Sequence, residues 1–209
     1  MIIPPGVPGV VFGTRADGDA RSDEHARNVF STRFGISRDW ATVKQVHGTV
    51  IATADAPGFQ GEADGLTTDV VGLPLAIATA DCVPVVLIAE RARAVVHAGW
   101  RGVAGGAVSE ALGIMRRSGN IVTRAVIGPH IGPCCYEVGQ EVVDAIGGYE
   151  ARTRDGDVSV DLAAATRAQI EGVEVMDMGI CTFDDGSMAS YRQDRTPDRQ
   201  VTVVWLPQD

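Results

Sequence analysis

Aromatic residues are scarce in this chain: Phe, Tyr and Trp together make up 5% of its 209 residues. Val, Ile, Leu and Ala must therefore fill the interior, and an apolar fraction of 45% lets them do so within a single domain spanning residues 1–209. Long apolar runs are missing as well. No segment approaches the ~20 residues needed to span a bilayer. The opening Met1-Ile2-Ile3-Pro4-Pro5-Gly6 has neither the basic start nor the apolar stretch of a signal peptide. A cytoplasmic location is expected. Positive charge is in deficit, with 18 Lys and Arg against 27 Asp and Glu and a net charge of −9. That balance argues against a nucleic-acid partner, which needs a basic face to displace counterions, and against docking on anionic membranes. An anionic substrate would have to be held by local positive charge.

Other absences narrow the chemistry. No Gly-x-Gly-x-x-Gly follows a strand and no Walker A sequence occurs, so a nucleotide cofactor of either kind is unsupported. The four cysteines, two of them adjacent, are not a disulfide framework. Cys135 and Cys181 read as small buried hydrophobes. Only four histidines are present, too few for the several coppers that multi-electron phenol oxidation needs.

What is present is a mixture of elements without repeats. Short β-branched runs predict strands at 10–14, 42–46, 49–53, 75–80, 83–89, 94–97, 125–127 and 200–206. Helices are expected at 22–34, with Val29, Phe30 and Phe34 toward a core, and at 102–117, where apolar residues recur at helical spacing. Two more are expected at 137–146 and at 162–171, the latter capped by Asp161. Segments 57–65 and 150–159 read as loops. Strands and helices do not alternate strictly, and neighbouring strands look hairpin-connected. The expected class is α+β, with mixed sheets packed between helices.

Three segments carry the chemistry: Lys44-Gln45-Val46-His47-Gly48, Ala80-Asp81-Cys82 and His97-Ala98-Gly99-Trp100-Arg101-Gly102. Each places a metal-ligating side chain at the end of an apolar run. Two imidazoles and a thiolate from His47, His97 and Cys82 suit a zinc-like ion with its fourth position open to water or substrate. The same Cys82 and His97 also suit a nucleophile and its base. Lys44 and Arg101 lie beside these segments, Arg101 at a predicted helix start, and are the candidates for holding phosphate; packing of Arg101 on Trp100 is the equal alternative. Arg192 and Arg199 either add to that anion site or are surface charges. Asp81 either faces away from Cys82 or orients a histidine. Asp64, in an Asp-Gly pair, is either a turn residue or a pocket carboxylate, and the common Asp-Gly turn favours the first. His25 reads as a solvated helix residue, and His130 lies in a Gly/Pro-rich loop.

These motifs, with Ala63-Asp64-Gly65-Leu66 and the run from Ile127 through Gly128-Pro129-His130-Ile131-Gly132-Pro133-Cys134-Cys135-Tyr136 to Glu137-Val138, occur in one order. That order resembles the YfiH family, also called the polyphenol oxidase or laccase-domain family, which includes purine nucleoside phosphorylases. The resemblance covers essentially the whole chain. It implies a YfiH-like fold related to cysteine hydrolases, and metal ligands at His47, Cys82 and His97. It implies phosphorolysis of adenosine, inosine and S-methyl-5'-thioadenosine, with deamination of adenosine. Zinc is the implied cofactor, with copper as the alternative, and purine nucleosides and phosphate are the implied substrates. Copper-dependent phenol oxidation and editing of peptidoglycan precursors are other roles assigned to the family. The catalytic residues on this reading are Cys82, His97 and Asp81; Asp81 and Glu137 are guesses for the proton donor to the leaving base. The segment Ser190-Tyr191-Arg192-Gln193-Asp194 lacks one arginine of the family pattern.

Overall fold

A computed structural model describes residues 1–208. In chain order the strands and helices are β1 (Val10–Phe12), α1 (Glu24–Phe34), β2 (Ala41–Lys44), β3 (Ile51–Thr53), β4 (Gly58–Glu62), β5 (Gly65–Thr68), β6 (Leu75–Thr79), β7 (Val83–Ala89) and β8 (Arg93–Ala98). There follow α2 (Trp100–Ala104), α3 (Ala107–Arg117), β9 (Val122–Ile127), α4 (Gln140–Ile146), β10 (Glu150–Arg152), β11 (Val158–Val160), α5 (Leu162–Ala168), β12 (Glu174–Asp177), α6 (Tyr191–Asp194) and β13 (Gln200–Val204). Five strands form one sheet in the order β1-β13-β6-β2-β4, and six form a second in the order β12-β9-β7-β8-β5-β3. Both mix parallel and antiparallel pairs, as expected for α+β. The hairpin expectation holds for β7–β8. It fails for β2 and β3, which lie in different sheets.

The alternation of side chains along the strands explains the layering. Val86, Val95 and Val126 of the six-stranded sheet share one cluster with Phe12, Val43, Leu75 and Ile77 of the five-stranded sheet. Their neighbours Val85, Leu87, Val96 and Ile127 point the other way, onto Val108, Ala111 and Met115 of α3 and Leu162 and Ala165 of α5. On the far side, Val11, Ala76, Val201 and Val203 meet Phe30 and Trp40. The result is four layers, helix–sheet–sheet–helices. Because both faces of the central strands are covered, β6, β7 and β8 read as unbroken apolar runs rather than as alternating ones. Among the described residues no helix is long and apolar enough to cross a membrane.

Several sequence expectations are corrected. Val29 is 50% exposed, and Phe30 is the one apolar side chain of its helix that is fully buried. The helix expected over 102–117 is broken at Gly105-Gly106, where Gly106 adopts a left-handed conformation. The 57–65 loop contains β4, and 150–159 is a β10–β11 hairpin. Strand β5, strand β12 and the short α6 were not anticipated. The Asp161 cap is present, its carboxylate accepting from the Ala164 amide at 2.8 Å.

Candidate active site and metal centre

Three connections cross from the five-stranded to the six-stranded sheet: β2 to β3, β4 to β5, and β6 to β7. His47 lies on the first, Asp64 on the second and Cys82 on the third, and His97 faces them from β8. One donor atom each from His47, Cys82 and His97 fall within 4.8 Å of one another. The two imidazole rings lie edge to face with centroids 4.8 Å apart. Gly99 closes in behind them: a Cβ there would stand 3.0 Å from His47 Cδ2 and 3.1 Å from Cys82 Sγ, so the cradle has no space for a side chain.

Asp64 organises this cluster. It is completely buried. Its Oδ1 lies 2.8 Å from His97 Nδ1 and accepts from the His47 amide at 2.8 Å. Its Oδ2 accepts from the amides of Gly48 at 2.6 Å and Val46 at 3.3 Å. The 46–48 backbone thus wraps the carboxylate in consecutive N–H groups, which compensates for the left-handed conformation of His47, at φ 60°. Burial opposes ionisation of Asp64, yet the hydrogen bonds from His97, Gly48 and His47 hold its pKa below the ordinary carboxylate value. An Nδ1–H donated to Asp64 leaves Nε2 of His97 as the free ring donor. The turn-residue reading of Asp64 is therefore overturned. No local signal marks it, because its partners come from residues 46–48 and 97.

Electrostatics pair Cys82 with His97. Burial disfavours the Cys82 thiolate, but hydrogen bonds and charge from His47 and His97 outweigh it and bring the pKa down to about 6. Burial likewise disfavours the His97 cation, and Asp64 and Cys82 outweigh it, raising that pKa to about 9.

The trio lines a cleft of about 870 Å³, within the usual range for small-molecule sites, with His47 exposed, Cys82 half-buried and His97 buried. Arg21, Lys44, Arg101, Arg192 and Arg199 line it, with Phe59, Trp100, Tyr136 and Tyr191. Arg101 stacks on Trp100, its Cζ 4.2 Å from the ring, and α2 is only five residues long. Any anion site here is therefore a matter of guanidinium groups rather than of a helix dipole. Lys44 is on the cleft wall but bonded to Glu62 at 2.7 Å, both exposed. Asp81 also lines the cleft, in a left-handed conformation at φ 88°. Its Oδ1 accepts from Thr182 Oγ1 and its Oδ2 from the Arg192 amide, each at 2.7 Å. Glu137 is exposed and lies off the cleft lining. His25 is exposed on α1, and His130 is buried with Nδ1 2.9 Å from the Gly128 carbonyl.

The family model described as "Multi-copper polyphenol oxidoreductase laccase" matches residues 11–207. The chain belongs to this family. Within it, a purine nucleoside phosphorylase of Deinococcus radiodurans is 38% identical over 226 residues, covering 94% of this chain and 88% of the relative. One from Xylella fastidiosa is 36% identical over 185 residues, covering 78% and 71%. YlmD from Geobacillus stearothermophilus has the same fold, with a TM-score of 0.86 and 26% identity over 98% of this chain and 94% of that one. YfiH of Bacillus licheniformis matches the fold at a TM-score of 0.84 and 24% identity, over 97% and 98% of the two chains.

Proposed function

We propose that the chain is a purine nucleoside phosphorylase, acting on adenosine, inosine and S-methyl-5'-thioadenosine, with some adenosine deaminase activity. The observation that carries this reading is the convergence of His47, Cys82 and His97 in a cleft lined by four arginines and four aromatic rings. The names of the curated relatives supply the reaction class.

The donor set fits a single zinc-like ion, or copper, on three grounds. A thiolate and two imidazoles are borderline-soft ligands. Asp64 fixes the His97 tautomer from behind. The cradle at Gly99 leaves no room for a side chain. His47, Cys82 and His97 would hold the ion, which supplies Lewis acidity and an open position for water or substrate. Neither His25 nor His130 lines the cleft, so the donors fit one ion and not the several that multi-electron oxidation requires.

The remaining residues bind and orient. In phosphorolysis a phosphate oxygen attacks the ribose C1' and the C1'–N9 bond breaks, the purine leaving with a proton. Arg101, Arg192 and Arg199 hold the phosphate against the acidic body of the protein, and Lys44, engaged with Glu62, contributes less. Phe59, Tyr136 and Tyr191 offer ring faces to the purine. Burial, and then the Cys82 charge, push the Tyr136 phenol up to about 12. It therefore keeps its proton and, as a cleft-lining group, is a candidate donor to the leaving base, while the Asp81 carboxylate is already occupied by Thr182 and Arg192.

The test is product chromatography with metal-defined protein at zero and saturating phosphate. Adenine and ribose 1-phosphate should form from adenosine only with phosphate, and some inosine without it. No nucleoside turnover by metal-loaded protein overturns the proposal. A second reading has one specific observation behind it: Cys82, His97 and Asp64 are ordered as a nucleophile, its base and the group that orients the base. A cysteine hydrolase of this kind would be inhibited, not activated, by zinc.

A further inference from the structure

A second group of donors lies outside the cleft. Cys134 and Cys135 belong to the turn after Ile131, and Cys181 and Asp184 to the turn that follows β12; donor atoms of all four fall within 4.8 Å of one another. Cys134 Sγ is 2.9 Å from Cys135 Sγ, 4.0 Å from Cys181 Sγ and 3.8 Å from Asp184 Oδ2. Cys135 Sγ is 3.5 Å from Asp184 Oδ1. The three thiols are free and only half-buried, which corrects the expectation that Cys135 and Cys181 are core hydrophobes.

Tetrahedral coordination at ordinary Zn–S and Zn–O lengths sets S···S at roughly 3.8 Å and S···O at roughly 3.6 Å. The Cys134–Cys181 separation, and those of Cys134 from Asp184 Oδ2 and of Cys135 from Asp184 Oδ1, stand within a few tenths of an ångström of those values, though one carboxylate oxygen would have to serve both sulfurs. The Cys134–Cys135 pair must open by about 0.9 Å on the same geometry, and the remaining donor pairs lie within 4.8 Å. Burial, and the neighbouring sulfurs, hold the Cys134 and Cys135 thiols above their ordinary value, so a bound cation is what would draw off their protons. The Gly132 amide donates to Cys181 Sγ at 3.2 Å. A Cβ on Gly132 would come within 3.3 Å of Cys134 Sγ and 3.5 Å of Cys181 Sγ. Arg154 pairs with both oxygens of Asp184, with Nη1 at 2.6 Å from Oδ1, and its Nη2 is 3.6 Å from Cys134 Sγ. Each carboxylate oxygen retains a lone pair, and the guanidinium offsets part of the surplus negative charge that three thiolates and a carboxylate would bring to a dication.

We infer that Cys134, Cys135, Cys181 and Asp184 form a second, closed metal site for a zinc-class ion, distinct from the donors in the cleft. Its role is structural. It ties the 131–135 turn to the 181–184 turn, and both turns reach Asp81: the Ile131 amide donates to the Asp81 carbonyl at 2.9 Å and Thr182 to its carboxylate.

The test uses the full chain under reducing conditions, titrated with cobalt(II) and then displaced with zinc. Wild type should hold two equivalents. Cys82→Ala should keep one, with a thiolate-to-cobalt charge-transfer band stronger per ion than that of the cleft site, since three thiolates contribute instead of one. Adding Cys181→Ser to Cys82→Ala should abolish that band and the bound ion, with circular dichroism confirming the fold; Cys135→Ser and Asp184→Asn provide the same comparison should Cys181→Ser not fold. Zinc should shield three thiols of Cys82→Ala from a thiol reagent. A folded Cys82→Ala protein that binds no cobalt, or one in which Cys134 forms a disulfide under the same conditions, overturns the inference. Failure of the cleft site alone would leave wild type and Cys82→Ala equal at one equivalent, so the two readings are separable.

Discussion

Replacing Asp64 with Asn changes one buried atom and tests the organisation of the whole centre. The carboxylate accepts four hydrogen bonds, from His97 Nδ1 and from the amides of Val46, His47 and Gly48. An amide has one oxygen to offer, and its NH₂ must face donors whichever way it turns. With the oxygen in the Oδ1 position, the Gly48 and Val46 amides lose their acceptor. A buried donor without an acceptor costs about 1–3 kcal/mol, so the 46–48 turn should loosen and the melting temperature fall. With the amide reversed, His97 must accept at Nδ1 and carry its proton on Nε2, which removes it as a metal ligand. Either orientation should weaken zinc binding, by about 10–100-fold on the scale of second-shell carboxylates, or roughly 1.4–2.7 kcal/mol. Competition against a chromophoric chelator measures the affinity, and calorimetry the stability. An Asp64→Asn protein that binds zinc within about threefold of wild type, against the 10–100-fold expected, would refute the reasoning.

Alkylation of Cys82 in chelator-treated protein should rise through a midpoint near pH 6, where the thiolate forms, and zinc should block it. His97 stays cationic until about pH 9, so the ion pair spans the window between the two values. His97→Ala should move the midpoint upward, and an unchanged midpoint would contradict the pairing. Arg101→Ala should raise the KM for phosphate while lowering stability by only about 1 kcal/mol, the scale of a cation–π contact; a large loss of stability with unchanged phosphate affinity would make Arg101 a packing residue. Tyr136→Phe should lower kcat about 100–10,000-fold if the phenol protonates the leaving base, and equal rates would dismiss it. On α1, Phe30→Ala should cost about 3–5 kcal/mol and Val29→Ser within about 0.5 kcal/mol, read from urea denaturation.

The strands of the two central layers were legible because apolar runs of five to seven residues, bounded by turns, have few other uses. That His47, Cys82 and His97 come together was legible because each stands at or within three residues of a strand end. What escaped depends on contacts distant in sequence. β4 is glycine-rich and largely exposed, and is a strand only because β2 lies parallel to it. Val29 fits a helical apolar stripe in spacing, but α1 is covered on one narrow side alone. Asp64 looked like half of an Asp-Gly turn because its partners come from residues 46–48 and 97. The cysteine cluster was hidden for the same reason: 45 residues lie between Cys135 and Cys181, and no local pattern announces that they meet.

The crossing of three inter-sheet connections at one point has a consequence for how the molecule comes apart. Segments between strands usually exchange their amide hydrogens fastest. Here the amides of Val46, His47 and Gly48 are locked onto a fully buried carboxylate, while the Asp64 carbonyl receives the His97 amide at 2.7 Å and its own amide bonds Val50 at 2.8 Å. Asp64 acts as a rivet through the seam between the layers. Neither sheet can peel away without breaking it, so these loop amides should exchange only when the two sheets unfold together, as slowly as the amides of β7 and β8.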